Sequence, residues 1–100
     1  YTGEITYYDP GMGSCGESHS SDEMIAAVAF GVMKNGANPN ANPLCGKTIT
    51  ISYKGKQTKA KVVDTCPGCT GADLDLSPSL FKAVAPSGDG RVAGVEWWFD

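Results

Sequence analysis

The sequence has one histidine, no surplus of basic charge and no long apolar run, and each shortage removes a class of function. A lone histidine leaves a zinc framework short of ligands, and the four cysteines do not form two Cys-x-x-Cys knuckles, so no metal and no cofactor are called for. Acidic residues outnumber basic ones by 11 to 8, for a formal charge of −3, which argues against a sequence-independent grip on nucleic-acid phosphates. The longest apolar stretch, Met24 to Met33, is ten residues long and includes Gly31, whereas a helix that crosses a bilayer takes about 20. No membrane span is expected.

What is present is a chain of 100 residues, 41% of them apolar, which suits one domain over residues 1–100. A chain of this size buries only about 60 to 70% of its unfolded surface and gains from covalent staples. Four cysteines meet that need, and they place the chain in an oxidising compartment. The first residue is Tyr1 rather than Met, which suggests that a leader has been removed or left out, so secretion is the working expectation; a monomer is also expected. Four cysteines allow three pairings, and spacing alone does not choose among them. The pairing expected is Cys15 with Cys45, contributing about 3 to 4 kcal/mol, and Cys66 with Cys69, contributing about 2 kcal/mol. Cys66-Pro67-Gly68-Cys69 has the spacing of a redox motif, but no helix with the usual flanks follows it.

Thirteen glycines and six prolines cut the chain into short segments, the texture of a β-rich fold. Ile49, Ile51 and Tyr53 alternate with polar residues, Lys54-Gly55-Lys56 turns the chain, and Thr58, Ala60 and Val62 alternate in a second strand. A first strand carries Ile5 and Tyr7 against Thr6 and Tyr8, and a last one carries Val95, Trp97 and Phe99 against Glu96 and Trp98. Pairing first with last would close the sheet and leave no edge. Ser20 and Glu23 have capping-box spacing, yet Ile25, Val28 and Phe30 also suit a buried strand. A strand over Met24 to Ala29 followed by one helical turn is preferred. The clearest helix has Ser77 as N-cap and Pro78 at its first position, buries Leu80, Phe81 and Val84, and stops at Pro86. Asn35 to Pro43 reads as a polar loop.

Two carboxylates stand out. Continuing the parity of Thr58, Ala60 and Val62 makes Asp64 the next inward residue, which requires a place at the sheet's rim and hydrogen-bond donors around it. In Asp73-Leu74-Asp75-Leu76-Ser77-Pro78, the leucines face in and the aspartates out. Asp64 then either binds turn amides while Asp75 is solvated, or the two share a polar groove in which one is protonated and faces a glycosidic oxygen. Asp22, Asp89 and Asp100 read as solvated, His19 as an exposed loop residue, and Lys54, Lys56, Lys59 and Lys61 as one solvated face. Tyr7, Trp97 and Phe99 carry core parity and are assigned to packing. Tyr8 and Trp98 carry the opposite parity and are candidates for stacking on a sugar ring.

Thr6-Tyr7-Tyr8, Ser14-Cys15-Gly16, Asn42-Pro43-Leu44-Cys45-Gly46-Lys47, Val62-Val63-Asp64 and Asp73-Leu74-Asp75-Leu76-Ser77-Pro78, in this order, resemble the expansin superfamily, in particular the loosenins. The resemblance runs from about Ile5 to Phe99. It implies an all-β fold, a six-stranded double-psi β-barrel with one or two short helices, related to family 45 glycoside hydrolases and lytic transglycosylases. It also implies that Asp75 is the general-acid equivalent, that Asp64 supports it, and that Thr6 hydrogen-bonds in the same groove. The aromatic residue that expansins often carry two positions after the first aspartate is here Cys66. A second carboxylate to activate water has no assignable counterpart, since Asp9 is displaced by one residue from the hydrolase pattern. The implied activity is non-hydrolytic binding and loosening of cell-wall polysaccharide, cellulose or chitin, through Thr6, Asp64, Asp75 and either Tyr8 or Trp98. The alternatives are a hydrolase or lytic transglycosylase that uses Asp75 as acid, and a secreted protein-binding module such as a protease inhibitor or defence effector.

Overall fold

The computed structural model describes residues 1–35 and 41–100, so the centre of the Asn35–Pro43 loop lies outside the described residues. Six strands and two short helices follow in the order β1 (Thr2–Tyr7), β2 (Ile25–Ala29), α1 (Phe30–Met33), β3 (Thr48–Tyr53), β4 (Lys56–Cys66), β5 (Leu74–Leu76), α2 (Pro78–Val84) and β6 (Arg91–Phe99). The strands close into a barrel in the order β1-β5-β2-β4-β3-β6. β1 runs parallel to β5 and β2 parallel to β4, while the other four pairings are antiparallel. Closure gives each of these six strands two neighbours.

The hairpin forms because its alternation puts Ile49, Ile51, Ala60 and Val62 on one face, all buried. Lys54 and Gly55 both have positive φ, at 49° and 80°, as a two-residue type I′ turn requires. Lys56 is therefore already in β4, opposite Tyr53. Trp97, 1% exposed, fills the interior from β6 and donates its indole N–H to the Ala72 carbonyl at 2.8 Å. β2 is buried along its whole length, which explains its unbroken apolar run. Ser20 and Glu23 make the contacts their spacing foretells, with the Ser20 N–H 2.6 Å from Glu23 Oε2, but the chain passes into β2 and no helix follows. Ser77 caps α2, its hydroxyl accepting from the Leu80 N–H at 3.3 Å and donating to the Glu23 carbonyl at 2.5 Å.

Both disulfides pair as expected, with Cα separations of 5.7 Å for Cys15–Cys45 and 5.4 Å for Cys66–Cys69. Three expectations need correction. Asp64 is not inward. The β2–β4 register slips between Ala26–Val62 and Ala27–Asp64, so Val63 is an extra residue in β4. Val62 and Val63 are both buried, and the parity beyond them inverts. Tyr7 has core parity but is 54% exposed, because β1 ends there; the Phe81 ring lies against it at a centroid distance of 5.3 Å. His19 is largely covered, and its Nδ1 lies 3.0 Å from Glu23 Oε1.

Candidate functional site

The registers assemble one row of residues across four strands. Thr6 is opposite Asp75, Asp75 opposite Ala27, and Ala27 opposite Asp64. Cross-strand partners share a face, so Thr6, Asp75 and Asp64 project from the outer wall of the barrel on either side of a small, buried alanine. The two aspartates flank β2 and have Cα atoms roughly 10 Å apart, two strand spacings. The bulge at Val63 is what brings Asp64 to this face.

The two carboxylates have different surroundings. Asp64 Oδ1 accepts the Ser14 and Thr65 N–H groups, each at 2.7 Å, and so ties the loop after β1 to the barrel wall. That loop approaches closely because residue 13 is glycine: a Cβ there would lie 2.4 Å from the Val63 carbonyl oxygen and 3.2 Å from the Asp64 Cβ. Asp75 Oδ1 accepts the Thr6 hydroxyl at 2.9 Å. Burial pushes the Asp75 carboxyl above the usual range, the Thr6 hydrogen bond opposes this, the Asp64 charge adds to it, and Arg91 draws it back. Half-buried Tyr8 is influenced by both acids, its phenol raised above its ordinary value by burial first and then by the charges of Asp64 and Asp75.

Asp75 and Thr6 lie in an open groove of about 460 Å³ lined also by Glu4, Asp73, Arg91 and the Cys66–Cys69 loop. Arg91, opposite Thr6 in the β1–β6 register, donates to Glu4 Oε2 at 2.9 Å. Asp73 accepts the Glu4 N–H at 2.9 Å and the Thr70 hydroxyl at 3.3 Å. Three carboxylates and one guanidinium make the groove acidic and rich in hydrogen-bonding groups. Asp64 stands outside this lining, across β2. Trp98 is also elsewhere: it lies seven residues along β6 from Arg91, roughly 23 Å of strand, opposite Thr50. There the Thr50 hydroxyl and Lys59 both donate to Asp100 at 2.6 Å. Asp9 is exposed and is not among the groove residues. Sequence reasoning missed Glu4 and Arg91. Glu4 shares the outward parity of Thr6 and was open to detection, whereas Arg91 joins the site only through a pairing of distant strands. Among the described residues, no group of three or more His, Cys, Asp or Glu side chains could hold a metal ion.

No family model matches the chain. A papain inhibitor of Streptomyces mobaraensis is 39% identical over 102 residues, spanning 98% of this chain and 70% of that protein. The solved structure of a Streptomyces papain inhibitor superposes with a TM-score of 0.90 at 36% identity, covering 99% of this chain and 92% of that one. The chain belongs to the expansin/barwin-like superfamily of double-psi β-barrels. Within that superfamily it also resembles an "Allergen Asp f 7 homolog" of Arthroderma benhamiae, 42% identical over 111 residues, although it spans 98% of its own length and only 38% of that relative. A Clavibacter michiganensis expansin in complex with cellohexaose has a TM-score of 0.76 at 24% identity, over 99% of this chain and 50% of that one, a likeness of fold. The six-stranded barrel implied by the sequence resemblance is thus the observed one.

Proposed function

We propose that this chain is an extracellular, non-hydrolytic polysaccharide-binding protein that lays a strand of cell-wall glycan, cellulose or chitin, along the groove around Thr6 and Asp75. The observation that carries this reading is the Thr6–Asp75 hydrogen bond on the wall of an open, polar groove. An extended polymer can lie along such an open groove. The Thr6 hydroxyl and the Asp75 carboxylate then exchange their mutual contact for sugar hydroxyls, which loosens contacts between glycan strands by competition and breaks no bond. Support for a glycan as partner comes from the expansin of the same fold that was crystallised with cellohexaose. The two disulfides support an extracellular setting.

Hydrolysis requires a second carboxylate free to activate water or attack the sugar. Each neighbouring acid already has a partner: Glu4 is paired with Arg91, Asp73 accepts two hydrogen bonds, and Asp64 holds two loop amides. The groove taken by itself supplies no avidity, so dissociation constants in the micromolar range or weaker, about −8 kcal/mol at most, are expected for this domain. Depletion isotherms on insoluble cellulose and chitin, run beside a reducing-sugar assay, test the reading. Saturable binding without sugar release, weakened by Thr6→Val, supports it; sugar release abolished by Asp75→Asn would instead make the protein an enzyme.

A second reading is favoured by the 39% identity to a papain inhibitor: a secreted protein ligand that blocks a papain-type protease. Papain titrated with the protein discriminates. Stoichiometric loss of protease activity with no retention on polysaccharide favours the inhibitor, and full papain activity beside saturable glycan binding favours the groove.

A further inference from the structure

Tyr7 has the parity of a core residue yet is 54% exposed, with Phe81, itself 5% exposed, beneath it. The two rings lie in a cleft of about 400 Å³ whose walls include Pro78 and Pro86 and whose rim carries Lys82 and Asp89. Two glycines keep it open. A Cβ at residue 88 would lie 2.8 Å from Val92 Cγ2 and 3.1 Å from the Phe81 ring, and residue 90, with φ of +98°, has a conformation that favours glycine and would bring a Cβ to 3.4 Å from Tyr7 Cε1. The cleft adjoins the acidic groove. Thr6 and Arg91 are register partners at the groove's edge, and the next residue on each side, Tyr7 and Gly90, edges the cleft.

We propose that the Tyr7–Phe81 cleft is a stacking subsite that holds the apolar face of one sugar ring of the glycan strand lying in the groove. This inference rests on the polysaccharide reading given above. A pyranose presents C–H groups on its faces and hydroxyls around its edge, and the cleft offers the complement, an aromatic floor with a cation and a carboxylate at the rim. Among the described residues that line the groove none is aromatic, so the cleft adds an aromatic floor to the Thr6–Asp75 site. A strand long enough to cross the β1–β6 seam engages both; a disaccharide bound at Asp75 engages only one.

Titration calorimetry with β-1,4-linked hexasaccharides and disaccharides of glucose and of N-acetylglucosamine tests this. Tyr7→Ala is expected to weaken hexasaccharide binding about tenfold, Tyr7→Trp to hold it within about twofold, and neither to change disaccharide binding. Equal hexasaccharide affinity in wild type and folded Tyr7→Ala, with Asp75→Asn still impaired, overturns the subsite and leaves the groove standing. Wild-type protein that binds none of the four sugars overturns both. Should Tyr7→Ala not fold, amide shifts of the wild type under hexasaccharide decide: movement at Gly88, Asp89 and Gly90 supports the cleft, and movement confined to Thr6, Asp75 and the Cys66–Cys69 loop overturns it.

Discussion

Asp75 is held at a cost. Its carboxyl is raised by burial against the opposing hydrogen bond from Thr6, so above its folded-state pKa the ionised group weakens the fold relative to the unfolded chain, where it titrates at its ordinary value. As pH falls through the raised folded pKa towards the ordinary carboxylate value, the folded state takes up the proton first and gains stability. Asp75→Asn keeps a carbonyl oxygen to accept from Thr6 and removes the charge. The variant should therefore melt higher than wild type at pH 7, with the difference shrinking as pH falls towards 4 and gone below it; equal melting temperatures across that range would show that the site stores no such penalty. Stability gained where binding is lost is the usual mark of a binding group. The outward alternation of Asp75 and the hydroxyl on Thr6 were legible in the sequence. The role of Asp64 was legible only as a demand for donors, because the residue that turns it outward, Val63, breaks a parity no short window reveals.

Among elements, β4 and the loop after β1 are coupled by Gly13, Ser14 and Asp64. A methyl group on residue 13 meets the Val63 carbonyl at 2.4 Å, a contact that neither the strand nor the loop relieves without shifting. Gly13→Ala is expected to cost about 1–3 kcal/mol in denaturant unfolding; an unchanged midpoint would mean the loop is not seated on Asp64. The Cys15–Cys45 disulfide, with a sequence separation of 30, staples the same region. Replacing both cysteines by serine should remove about 3 kcal/mol, which lowers the melting temperature of a domain this size by about 12–24 °C. The hairpin and α2 were readable because their signals are local: strict alternation around Lys54-Gly55, and Ser77-Pro78 ahead of Leu80, Phe81 and Val84. The hairpin partners and the pairing of first strand with last were readable too, whereas the two parallel pairings were not, since they join segments far apart in sequence.

For the molecule as a whole, closure of the barrel determines which residues can act together. β6 carries Arg91 at the groove and Trp98 at its far end, beside Thr50, Lys59 and Asp100. Parity made Tyr8 and Trp98 equal candidates for contact with sugar, and the structure separates them: Tyr8 feels the charges of Asp64 and Asp75, while Trp98 is opposite Thr50, seven residues along β6 from Arg91. Trp98→Ala should leave retention on cellulose and chitin within about twofold of wild type, while loss of binding in that variant would place the glycan on the opposite side of the barrel. Tyr7 shows the converse, a residue whose parity is correct and whose position at a strand end still exposes it. Membership of the expansin/barwin-like superfamily sets the architecture, and acids, hydroxyls and aromatic rings lie together along the β1–β6 seam.

The most direct test of that surface is the depletion isotherm of wild type against Asp75→Asn on insoluble chitin and cellulose at pH 7. The account predicts saturable binding by wild type and affinity at least about tenfold weaker in the folded variant. Indistinguishable isotherms for the two proteins would contradict it.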